Sequence, residues 1–120
     1  MRETTPLRQK VVEDLAEVFS VLSHPTRVRI VALLHLREHD VTDLREHLGV
    51  SAANVSQHLS LLRARHLVRV RRDGTRVFYS ISDPRVAALI NCALDILDDD
   101  MSLTGEIRRA IQQVRLGPGV

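Results

Sequence analysis

The chain has 120 residues, 44% hydrophobic but 2% aromatic, with a formal charge of +2, one cysteine and six histidines. That length suits one domain, taken as residues 1–120, whose core is built from Leu, Val, Ile and Ala. One cysteine excludes an intrachain disulfide framework. No apolar run approaches a membrane span, and Met1–Leu7 lack the apolar stretch of a secretory leader, so a soluble cytoplasmic protein is expected.

A first helix is expected over about 7–22, where Val11, Leu15, Val18 and Leu22 form a stripe. Val12 and Phe19 lie beside it, with Glu13, Asp14 and Glu17 opposite. Ser23-His24-Pro25 interrupts the pattern, and Pro25 suits the first turn of a second helix, Thr26 to about Leu36. That helix is apolar nearly all round, which makes it the central one. Thr42 is the expected cap of a third helix, with Leu44 and Leu48 inward and Gly49 at its end. Ser51 caps a fourth, about Ala52–His66. Two alternating strands follow over about 67–81, with Asp73-Gly74 as the hairpin signal. Asp83-Pro84 caps and opens a fifth helix striped by Val86, Ile90, Ala93 and Leu97, and widened by Leu89 and Leu94. Leu103, Ile107, Ile111 and Val114 mark a sixth that Gly117-Pro118 ends. The order ααααββαα, mainly α with a β-hairpin wing, is that of a winged helix-turn-helix, its helix-turn-helix over about 42–66. A small core with few aromatics points to completion by a second copy, a homodimer.

On the fourth helix, with Val55 as the buried reference and 100° per residue, Ala52, Leu59, Leu62 and His66 fall within about 60° and form the inward face. Ala53, Gln57, Ser60 and Ala64 lie opposite, flanked by Asn54 and Ser56. Small residues let a helix approach a major groove closely. Gln57 can bond an adenine in two-pronged fashion, and Ser and Asn can meet bases or phosphates. Arg63, Arg65, Arg69, Arg71, Arg72 and Arg76 crowd the hairpin, opposed locally only by Asp73. Arg63 and Arg65 suit phosphates, while Arg71, Arg72 and Arg76 flank the tip, within reach of the backbone or a neighbouring minor groove. A nucleic-acid reader is the leading interpretation. The alternative is a protein-interaction module that kept the scaffold and lost DNA binding. Without a glycine-rich phosphate loop, a nucleophile elbow or a clustered acid pair, no enzyme is expected.

Leu22-Ser23-His24-Pro25-Thr26-Arg27-Val28-Arg29-Ile30, Val41-Thr42-Asp43-Leu44, the run Ser51–Leu62 and Asp73–Tyr79 together resemble the ArsR/SmtB family of bacterial winged-helix repressors. The likeness covers roughly Glu17 to Leu97. It implies a homodimer formed through helix 1 and the helices after the wing (about 7–22 and 84–115) that binds inverted-repeat double-stranded DNA. Ala53, Asn54, Ser56 and Gln57 then inherit the base-reading role, and the wing arginines the backbone role. The full expected contact set is Ser51, Ala53, Asn54, Ser56, Gln57, Ser60, Arg63, Arg71, Arg72 and Arg76.

Where the family carries the thiolate site E-L-C-V-C-D-L, this chain reads Glu38-His39-Asp40-Val41-Thr42-Asp43-Leu44, with both cysteines gone. The family's later site has counterparts at Asp83, Arg85, Ile96 and Asp99, without imidazoles, so no tight tetrahedral zinc site is expected there. His39, Asp40, Asp83 and Asp99 are the candidates left for a non-standard nickel or zinc site. The other reading is a regulator with no metal response of its own, dependent on a co-regulator protein or another signal. His58 and His66 read as satisfied core histidines, and Cys92 as a small buried residue near the dimer stripe. Asp95, Asp98 and Asp99 share one helix face and are expected to favour the positive end of the sixth helix.

Overall fold

Six helices and one antiparallel hairpin make up residues 5–100 and 102–117, the part of the chain that the computed structural model describes. In chain order they are α1 (Pro6–Leu22), α2 (Pro25–Leu36), α3 (Val41–Leu48), α4 (Ala52–Ala64), β1 (Val68–Asp73), β2 (Arg76–Ile81), α5 (Arg85–Asp98) and α6 (Gly105–Val114). This is the expected mainly-α winged helix-turn-helix. Of the expected Gly117-Pro118 stop, Pro118 lies outside the described residues.

Four helix starts are fixed by a side-chain oxygen that accepts a first-turn N–H: Thr5 from Arg8, Asp40 from Asp43, Ser51 from Asn54 and Thr104 from Ile107. At α2 the acceptor is a ring nitrogen, His24 Nδ1, which takes the Thr26 N–H at 3.1 Å. The α3 cap is therefore Asp40, two residues before the expected Thr42, which is exposed. An aspartate at the cap with Asp43 three residues on is an acidic start that suits the positive helix end better than a threonine two residues further in. At α5, Pro84 occupies the cap position and the Asp83 carboxylate takes the Arg85 N–H at 2.9 Å, so the expected pair stands one residue early.

The end of α4 is also earlier than expected. His66 adopts φ +60°, and its N–H bonds Arg63 O while the Leu67 N–H bonds Leu62 O. That crossed pair is a Schellman stop, sealed by Leu62 and Leu67, both buried. His66 is consequently exposed, off the inward face where uninterrupted periodicity put it.

In the hairpin Asp73 pairs with Arg76, so the two-residue turn is Gly74-Thr75, one position later than the expected Asp73-Gly74. Of these two turn residues only Gly74 has a positive φ (+61°), the requirement of a type II′ turn. A third, one-residue strand is added beyond β2. The His39 N–H bonds Tyr79 O at 3.1 Å, and the Tyr79 N–H bonds His39 O at 2.8 Å.

The core lies where α2 meets α3, α4 and the base of the hairpin. Ile30, Val31, Leu44, Val55 and Leu62 are inaccessible there, and Val86 of α5 closes one side. On α1, by contrast, Val21 is buried while Leu7, Val11, Val12, Leu15 and Phe19 are exposed. Cys92 of α5, expected to be buried, is exposed on the single protomer. No helix of the described residues is long and apolar enough to cross a membrane.

Candidate nucleic-acid interface

The two helices of the helix-turn-helix are joined by Gly49, Val50 and Ser51. Gly49 makes the turn because it adopts φ +68°, where a Cβ is strained, and its N–H bonds Arg45 O at 2.9 Å. Ser51 then starts α4. From there, Val55, His58, Leu59 and Leu62 face the core, and Ala53, Ser56, Gln57, Ser60 and Arg63 are exposed. Ala52, expected inward, is exposed.

The outward residues differ in what they have left to offer. The Ser60 hydroxyl donates to Ser56 O at 3.0 Å, so its donor is used within the helix. Ser51 Oγ is committed as an acceptor to the Asn54 N–H at 3.1 Å. Asn54 is half-buried, and its Oδ1 is turned inside without a hydrogen-bond partner, a departure from the expected flank position. The Ser56 and Gln57 side chains have no partner among the described residues.

His58 ties α4 to two other helices. Arg27 Nε donates to Val21 O at the end of α1 (2.5 Å), and Arg27 Nη1 lies 3.2 Å from His58 Nδ1. A guanidinium only donates, so His58 Nδ1 accepts and the ring is neutral with its proton on Nε2. The His24 ring stands 4.5 Å from that of His58. Burial, and then the neighbouring His24 and Arg27, hold the His58 pKa below its ordinary value. Burial does the same to His39. Both are protonated more readily in the unfolded chain, so folding stability is full above the ordinary histidine value of about 6.5 and falls as pH drops through the lowered folded values. Thermal denaturation against pH should show that decline, and His58→Gln, which keeps an acceptor for Arg27 but cannot titrate there, should flatten part of it. An unchanged profile in the variant would exclude His58 from the response.

The wing is less cationic than its arginines suggest. Arg71 grips Glu38 through two bonds, Nη2 to Oε1 at 2.6 Å and Nε to Oε2 at 3.1 Å. Arg76 Nη2 donates to Asp40 Oδ2 at 2.8 Å. Both guanidiniums lie over the Phe78 ring, at 4.6 and 4.7 Å from its centroid. The bond to Arg71 lowers the Glu38 pKa, and that to Arg76 lowers the Asp40 pKa. The expectation that Asp73 alone opposes the cluster is thus corrected, because two carboxylates more than thirty residues upstream fold against it. Arg65 reaches Glu17 of α1 at 3.4 Å and Arg69 donates to Ser82 O at 2.9 Å. Arg63 and Arg72 have no ion-pair or hydrogen-bond partner among the described residues.

The four residues considered for a metal are not brought together. Asp40 is occupied by Arg76 and by the α3 cap. Asp83 is held by Arg85, which lowers its pKa to about 2. Asp99 is exposed at the end of α5. His39 is buried with Nδ1 unpartnered, 3.8 Å from Asp43 Oδ2. Among the described residues no three His, Cys, Asp or Glu side chains are placed to hold a metal ion. The Asp95–Asp99 group is also otherwise engaged: Arg115 binds Asp95 at 2.7 Å and Arg108 binds Asp98 at 3.3 Å. Thr104, rather than that acidic group, caps α6.

A last feature is the apolar face of α1, α5 and α6. Leu7 (77% exposed) and Ile96 (75%) stand in solvent, and a groove of about 330 Å³ is lined by Phe19, Leu22, Leu89, Ala93, Leu97 and Val114.

A buried-face recognition helix preceded by a tight glycine turn and followed by a hairpin defines a winged helix-turn-helix protein of the transcription-regulator class. The family described as "Bacterial regulatory protein, arsR family" matches residues 24–70. The HTH-type transcriptional regulator KmtR of Mycobacterium tuberculosis is 44% identical over 85 residues, which are 71% of this chain and 65% of KmtR. The nodulation protein NolR of Rhizobium meliloti is 34% identical over 106 residues, 88% of this chain and 87% of NolR. Among solved structures, the homodimeric winged helix-turn-helix DNA-binding domain of Mb0332 from Mycobacterium bovis superposes with a TM-score of 0.73 at 26% identity, covering 85% of this chain and 94% of that one. The chain belongs to the ArsR family of bacterial transcriptional regulators, and is not an enzyme.

Proposed function

We propose that this protein is a homodimeric, sequence-specific repressor, its single domain spanning residues 1–120, that reads an inverted repeat in double-stranded DNA. One observation carries the reading. The side of α4 that bears Ala53, Ser56 and Gln57 is open to solvent, while the opposite side is buried against α2 and α3. Two copies joined through α1, α5 and α6 present that side to successive major grooves, with half-sites about one helical turn apart. Ala53 allows close approach, Gln57 and Ser56 read base edges, Ser51 and Asn54 stand at the helix start, and Arg63 and Arg72 meet phosphates.

The test compares two alanine variants on cognate and mutated operators. Gln57→Ala should lose about 1–3 kcal/mol of discrimination at one base position. Arg72→Ala, which removes one phosphate contact from each subunit of the dimer, should weaken all sequences alike and reduce the salt slope by about 1.8. The opposite assignment of effects would reject this division of labour.

For the effector, commitment of Asp40 and Asp83 to arginines favours regulation without a nickel or zinc site at His39, Asp40, Asp83 and Asp99. Calorimetric titration with nickel, zinc and cobalt checks this. Micromolar binding that alters operator affinity would overturn it.

A further inference from the structure

The outer face of the wing is organised by residues that lie far from it in sequence. Because His39 pairs with Tyr79 as a one-residue strand, alternation turns its neighbours Glu38 and Asp40 to the same side of the sheet, opposite to the buried His39 ring. The register places Arg71 directly across from Phe78, and Asp73 across from Arg76, so these four also share one face. That face is the one on which Glu38 meets Arg71 and Asp40 meets Arg76, with Phe78 lying under both guanidiniums.

We propose that Glu38 and Asp40 are positioning residues that clamp Arg71 and Arg76 over Phe78, which fixes the pose of the wing and withholds both arginines from the DNA phosphates. The inference rests on the DNA-reading function and refines it: the cations that follow the backbone are Arg63 and Arg72, while Arg71 and Arg76 hold the ribbon. Glu38 is bound in two-pronged geometry, which spends the Nε and Nη2 edge of Arg71. Asp40 has a double duty, one oxygen on Arg76 and the other capping α3, so it couples the wing to the start of the helix-turn-helix.

The experiment measures affinity for an operator duplex as a function of salt. For the wild-type protein and Arg71→Gln the slopes of log K against log salt should coincide, because Arg71 releases no counterion. Glu38→Gln frees Arg71 in both subunits and should steepen the slope by about 1.8, roughly a twelve-fold change in the ratio of affinities between about 50 and 200 mM salt. In an Arg71→Gln background the Glu38→Gln substitution should leave the slope unchanged, which separates a freed arginine from a general gain of charge. Asp40→Asn should behave like Glu38→Gln, through Arg76, because asparagine preserves the cap on Asp43. A slope that falls by about two in Arg71→Gln, or a steepening that survives in the double variant, overturns the clamp. If the wild-type protein binds no duplex while Arg71→Gln and wild type remain folded, the DNA-reading function itself is rejected, and the assignment with it.

Discussion

Leu97→Glu is expected to leave the protein folded, convert it to a monomer and lower operator affinity at least about 100-fold. Leu97 is 55% exposed and stands at the rim of the groove formed with Phe19, Leu89 and Ala93. In a lone protomer a glutamate there points into water at little cost. In a dimer that buries this face, an unpaired carboxylate costs several kcal/mol, and two-fold symmetry applies the penalty twice. Operator affinity then falls because the second recognition helix is no longer delivered at high effective concentration, a gain commonly worth 10²–10⁴-fold. Sedimentation equilibrium reads the oligomeric state, circular dichroism the fold, and gel retardation the operator affinity. A variant that stays dimeric would place the interface elsewhere.

The face in question was partly legible in the sequence. Helical spacing marks Val11, Leu15, Val18 and Leu22 as one stripe of α1, but periodicity cannot say whether the same chain or another covers it. In the fold, Val21 is buried and Leu22 partly so, while Val11 and Leu15 are exposed. Elements with a local cause were readable: Ser51 and Gly49 bound the turn, and Val55, Leu59 and Leu62 set the buried side of α4. What local pattern could not supply were contacts closed by the tertiary fold. Glu38 finds Arg71 and Asp40 finds Arg76 only because one residue, His39, adds itself to the edge of β2. The arginine cluster therefore reads as a cationic ribbon, although two of the three arginines at its tip are neutralised. His66 is misplaced for a different reason: a Schellman stop without glycine leaves no compositional mark, so helical periodicity runs two residues too far. His24 at the start of α2 and His58 on α4 gave no spacing signal either, since their proximity is created by the crossing of two helices.

The orientation of α4 underlies every assignment to bases, and a pair of truncations on opposite sides of one turn tests it directly. Leu59 is 1% exposed and belongs to the central core, whereas Leu61 is 45% exposed. Leu59→Ala should cost about 2–5 kcal/mol, the transfer free energy of the lost carbons plus the cavity left behind. Leu61→Ala should cost less than about 1 kcal/mol, since a half-exposed leucine gives up little buried surface and alanine is the better helix former. For a domain of this size each kcal/mol is about 4 °C in Tm, compared at one protomer concentration so that dimerisation affects both variants equally. Chemical denaturation of the two variants gives the ranking. If Leu61→Ala proved the more damaging, α4 would be rotated by about 160° to 200° from the orientation described, which two residues of helix span. Gln57 and Ser56 would then turn toward the core, and the protein would have no outward side on this helix with which to read a groove.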